Sequence, residues 1–111
     1  MKKTQQIATT YRQGDVLLKQ IAAIPGGTKK QEARDRIVLA YGEVTGHAHA
    51  IHDLDSVEVY VGQGGELYLE VKSEGCTLRH EEHAAIAIPP GQYERVLQRE
   101  YSPEAIRNVA D

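Results

Sequence analysis

Three of the five histidines in this 111-residue chain fall within six positions, in the stretch GEVTGHAHAIHD from Gly42 to Asp53. Imidazole is the most frequent protein nitrogen ligand for transition metals and the side chain that titrates nearest neutrality, so the spacing asks first whether these rings converge. In an extended strand His47, His49 and Ile51 share one face, while Ala48, Ala50 and His52 share the other. The bulky Ile51 belongs inside and takes His47 and His49 with it. Their Cα atoms are then roughly 7 Å apart, close enough for both rings to hold one ion at about 2.1 Å. His52 is left facing solvent.

Two imidazoles alone make a weak and promiscuous site, so further ligands are required. TLRHEEHAAIAIPPG, beginning at Thr77, supplies candidates: His80 shares a strand face with Leu78, and His83 follows the turn residues Glu81 and Glu82. Such a cluster suits a divalent ion, Zn, Fe, Ni, Mn or Cu. Two other readings use the same residues. The rings could be satisfied by ordinary hydrogen bonds at a hairpin end, or they could form a metal-free cluster that titrates near neutrality.

The elements that must carry these side chains are strands. Short apolar runs separated by turn signals begin at Gly14, Asp35, Gly46, Ser56, Gly65, Cys76, Ala84 and Gln92. These predict an all-β, single-domain jelly roll or small β-barrel of about eight strands spanning residues 1–111. Val57, Val59 and Val61 alternate inward, as do Leu67, Leu69 and Val71, which turns Glu58, Tyr60, Glu66, Tyr68 and Glu70 outward. The intervening GQGG, residues 62–65, is a hairpin turn. Residues 1–13 read as a flexible N-terminus and 25–35, PGGTKKQEARD, as a mobile loop. A short C-terminal helix is expected over 103–109, with Ser102 as N-cap, Pro103 in the first turn and an apolar stripe of Ile106, Val109 and Ala110.

Composition bounds the partners. A net charge of −3 and a pI near 5.9 offer no basic footprint for nucleic acid. No apolar run is long enough for a signal peptide or a membrane span, so a cytoplasmic protein is expected. With no Phe or Trp the core must be aliphatic, and the single Cys76 excludes an internal disulfide or paired-thiolate zinc site. There is no GxSxG and no phosphate-binding glycine loop.

The stretch GELYLEVKSEGCTLRHEEHAAIAIPPGQYERV resembles the later strands of a cupin, a small metal-binding jelly roll. Gly42, the His47/His49 pair, and Glu58 followed seven residues later by Gly65 are similar to the first cupin motif; Pro89, Pro90 and Gly91 are similar to the PxG of the second. The resemblance implies a jelly roll with a metal held by His47, His49 and further ligands. Eight residues separate His49 from Glu58 where the family has three or four, alternation turns Glu58 outward, and Glu94 stands at the family's last histidine. His80, His83 and Glu94 therefore compete for the remaining ligand positions. The chain also resembles short bacterial proteins carrying GExTGHAH and QREY stretches, a likeness that implies no function.

These observations lead to two functional expectations. One is a metal-binding protein acting on a small oxygen-bearing molecule, the ion serving as Lewis acid or water activator and Glu81, Glu82 or Glu94 as general base. The other is a non-catalytic β-barrel interaction module without metal. There, exposed Tyr60 and Tyr68 would form a partner surface or homodimer interface.

Overall fold

The structure, a computed structural model, describes residues 9–42, 44 and 46–98. Among these residues ten strands form two antiparallel sheets. In chain order they are β1 (Thr10–Gln13), β2 (Val16–Ile21), β3 (Lys29–Gln31), β4 (Ile37–Tyr41), β5 (Ala48–Ile51), β6 (Val57–Val61), β7 (Leu67–Val71), β8 (Cys76–Arg79), β9 (Ile86–Ile88) and β10 (Gly91–Leu97). The larger sheet has the order β1-β2-β10-β7-β6-β3 and the smaller β4-β5-β8-β9.

The inner faces of both sheets meet in one aliphatic cluster. Val16, Leu18, Val59, Leu69 and Tyr93 come from the six-stranded sheet; Ile37, Leu39, Ile51, Leu78 and Ile88 come from the four-stranded one. Burying each large aliphatic side chain stabilises the fold by about 1.5–3 kcal/mol. Tyr93 is the largest fully buried side chain among the described residues, and its hydroxyl donates to Pro89 O at 2.8 Å, so its polar end is satisfied. Arg95 Nη1 donates to Leu39 O at 2.8 Å, tying β10 to β4.

All eight expected strands form, and two more were not foreseen. Residues 10–13, assigned by sequence to a flexible N-terminus, make β1, which pairs with β2 from Thr10↔Lys19 to Gln13↔Val16. Within the expected loop 25–35, β3 pairs with β6 through Lys29↔Val61 and Gln31↔Val59. Both lie at sheet edges and lack apolar alternation, which explains why the sequence pattern hid them. The β6–β7 hairpin closes at residues 62–65 as expected, with Gly65 at φ +89° and its amide donating to Gly62 O.

One expectation about the outer face needs correction. Tyr68 is only 9% exposed and Tyr60 is half-buried, so they do not form an exposed tyrosine surface. They stand directly opposite each other on β7 and β6, and Tyr60 Oη donates to Glu58 Oε1 at 2.8 Å. Glu58 also ion-pairs with Lys30 and Lys72, so it belongs to a polar network on the outer face. The expected helix at 103–109 lies outside the described residues. Among the described residues no helix is long and apolar enough to cross a membrane.

Candidate metal centre

Strand alternation on β5 delivers the central imidazole. Ile51 is fully buried against Leu78 and Ile37 in register, and His49, two residues earlier, points the same way and is 2% exposed. His52 lies on the other face and is exposed, as expected. His47 precedes the strand and is half-buried, with its backbone carbonyl accepting from Gly42 N at 2.8 Å.

A buried imidazole needs polar partners, and His49 finds one in a residue that the sequence reading did not single out. Gln13, 3% exposed at the end of β1, places Oε1 2.9 Å from His49 Nδ1. The amide orientation is unambiguous, because Gln13 Nε2 donates to Leu78 O at 3.0 Å and Ala84 O at 2.9 Å; a flipped amide would set oxygen against two carbonyls. His49 Nδ1 must therefore carry a proton, which in the neutral ring leaves the lone pair on Nε2. Metal-ligating histidines typically show this arrangement, the remote nitrogen fixed by a hydrogen bond.

His80 and His83 come from the turn after β8. The amides of Glu82 and His83 both donate to His80 Nδ1, at 2.9 and 3.3 Å, so the side chain of His80 folds its own turn. That turn brings His83 back beside His49, with ring centroids 5.7 Å apart and planes 23° from parallel. His80 lies 4.3 Å from His49 by ring centroid. One nitrogen from each of His49, His80 and His83 lies within 4.8 Å of the others, and His47, His80 and Glu81 make a second such group.

These rings line a cavity of about 250 Å3 that also meets Asp15, Gly42, Val44 and Glu82. Asp15 Oδ1 is 3.8 Å from His49 Nε2, and Glu82 Oε2 is 3.6 Å from His47 Nδ1. His47 Nδ1 is buried and has no hydrogen-bond partner among the described residues. Glu81 turns its Oε1 to the Ala48 amide at 2.9 Å, and that hydrogen bond holds its carboxyl below the usual range.

Two glycines make room for the rings. Gly14, at φ +60° in the two-residue turn between β1 and β2, has no Cβ where one would stand 2.9 Å from His83 Nε2 and 3.1 Å from His49 Cε1. A Cβ on Gly42 would come 3.2 Å from His80 Nε2.

Of the expected ligands, His47, His49, His80 and His83 converge on the cavity; Glu94 does not. Tyr93 points into the core, so alternation turns Glu94 to the outer face of β10, in register with Tyr68 and Lys19. Glu94 is therefore no competitor for the remaining ligand position. Of the other carboxylates considered as bases, Glu82 lines the cavity, and Glu81 lies with His47 and His80. Gln13, Gly14 and Asp15 form a wall of the site that the sequence reading missed. The available signal was a glutamine at an inward position: Gln13 pairs with Val16, and both side chains face the core. Cys76 is buried on β8, and burial pushes its thiol up to about 12, which removes it as a nucleophile near neutrality.

The fold and the cavity together define a small all-β protein with a histidine cluster, built around the buried His49, at the ends of its strands. Residues 12–98 match the family described as Domain of unknown function (DUF8820), and the chain belongs to that family. No curated protein and no solved structure matches the chain.

Proposed function

We propose that this protein binds a divalent transition-metal ion in the histidine cavity, within a cupin-like jelly roll. The observation that carries the reading is His49: a ring almost wholly buried, its Nδ1 held by Gln13 and its Nε2 turned toward other imidazoles and a carboxylate. Mixed nitrogen and oxygen donors suit Zn, Fe, Ni, Mn or Cu. A small oxygen-bearing molecule reaching the open side of the cavity would meet a Lewis acid there, with Glu82 placed to take a proton. Cytoplasmic residence belongs to the same reading, as a lone unpaired cysteine fits a reducing compartment.

The test is elemental analysis of untagged protein, repeated on a His49→Ala, His83→Ala double variant. Near-stoichiometric metal in the wild type and its loss in the variant are expected. A metal-free wild type that also takes up no zinc, nickel or iron would end the proposal. That outcome, with His49→Ala tolerated, would favour a non-catalytic interaction module. Tyr41 and Val44, 66% and 52% exposed near the cavity, would then mark its contact surface.

A further inference from the structure

The hydrogen bonds around the cavity assign different protons to different rings, and this separates rings that proximity alone groups together. His49 is held with its proton on Nδ1, because Gln13 Oε1 faces that atom at 2.9 Å and can only accept. His80 is held in the opposite state. Its Nδ1 faces two backbone amides, those of Glu82 and His83, and amides only donate. Neutral His80 therefore carries its proton on Nε2, the atom beside Gly42 in the cavity wall.

Coordination through either nitrogen of His80 would disrupt the turn. An ion on Nδ1 would displace both amides. An ion on Nε2 would drive the proton to Nδ1 and set it against two N–H groups. His83 carries no such constraint: it is exposed, and its Nε2 stands over Gly14 next to His49. Asp15 places a carboxylate oxygen 3.8 Å from His49 Nε2. Two donors about 2.1 Å from one ion stand at most about 4.2 Å apart, so His49 and Asp15 already fit a shared ion. An ion shared with His83 requires only rotation of that exposed ring.

We infer that the coordinating set is His49, His83 and Asp15, and that His80 faces it as a hydrogen-bond donor through Nε2 rather than as a ligand. The inference rests on the metal-binding reading above and deepens it. Two imidazoles and one carboxylate leave positions open on the ion, and the His80 N–H is aimed at whatever small oxygen ligand occupies one of them. Gln13 acts on the ion only through His49 and is a positioning residue.

Long-range 1H–15N spectra of the full-length protein, recorded metal-free and then with zinc, test this directly. Before zinc, His49 should show a protonated Nδ1, and His80 an unprotonated one. After zinc, the coordinating nitrogens of His49 and His83 should shift while His80 keeps its pattern. In zinc titrations His83→Ala and Asp15→Asn should each weaken affinity at least about tenfold, taking even outer-shell losses as a floor. His80→Asn retains an oxygen to accept the Glu82 and His83 amides and should stay within about threefold. A protonated His80 Nδ1, zinc bonded to His80, or a folded His80→Asn variant as weak as His83→Ala would overturn the division of roles alone. A wild type that takes up no zinc would overturn the coordinating set, and one that takes up no nickel or iron either would overturn the proposed function with it.

Discussion

Gln13→Leu tests the architecture of the site and its contribution to stability in one substitution. The side chain is 3% exposed and makes three hydrogen bonds, to His49 Nδ1, Leu78 O and Ala84 O. Leucine fills a similar volume and makes none of them. Ala84 is an exposed residue, so its carbonyl finds water; Leu78 O and His49 Nδ1 are buried and do not. Leaving two buried polar groups without partners costs about 2–5 kcal/mol. The extra apolar surface of leucine offsets about 1–2 kcal/mol of that. At the middle of both ranges the net loss is about 2 kcal/mol, a fall in Tm of roughly 8 °C for a chain of this size. His49 has one escape, moving its proton to Nε2, and that removes the lone pair a metal requires. Zinc affinity should therefore fall about 10- to 100-fold alongside stability. Urea unfolding monitored by circular dichroism gives the first number and zinc titration the second. A variant within about 0.5 kcal/mol of wild type that binds zinc normally would refute the reasoning.

Three further outcomes are expected. Gly14→Ala places a methyl group 2.9 Å from His83 Nε2 on a backbone at φ +60°, so zinc titration should show lost affinity and unfolding a loss of about 1–2 kcal/mol from the backbone alone. The hydroxyl of Tyr60, then Lys72 and Lys30, lowers the Glu58 carboxyl from its ordinary 4.5 to about 2. A depressed carboxyl pKa contributes stability that is present above about 4.5 and lost as pH falls toward 2; Glu58→Gln should flatten that limb of a urea-midpoint profile. Cys76, pushed up to about 12 by burial, should resist a thiol reagent at pH 8 in the native protein and react only at the rate of unfolding.

Much of the site could be read from the sequence because strand alternation is a strict rule. It sent His49 inward with Ile51, left His52 outside and turned Glu58 away from the core. The same rule, applied to Tyr93, would have removed Glu94 from the ligand candidates. Polar edge strands were not legible: TYRQ and KKQ carry little apolar alternation, and pairing alone defines them. The partner of His49 was hidden for a different reason. Gln13 lies 36 residues away, and only the closed fold shows that its amide has two carbonyls to satisfy. The HEEH turn was legible as a turn, but not that His80 folds it with its own ring.

The reach of the Gln13 amide also sets when the site can exist. Its two bonds to carbonyls join residues 65 and 71 positions apart, and those carbonyls flank the turn that carries His80 and His83. Contacts of such separation close large loops and form late in folding, after local hairpins such as β6–β7. A chain still emerging or partly unfolded therefore holds its histidines without the geometry to retain an ion. On the proposed metal-binding reading, capture of an ion would be an event of the completed fold, and the bound ion would shift the folding equilibrium by mass action toward the native state without guiding the chain there.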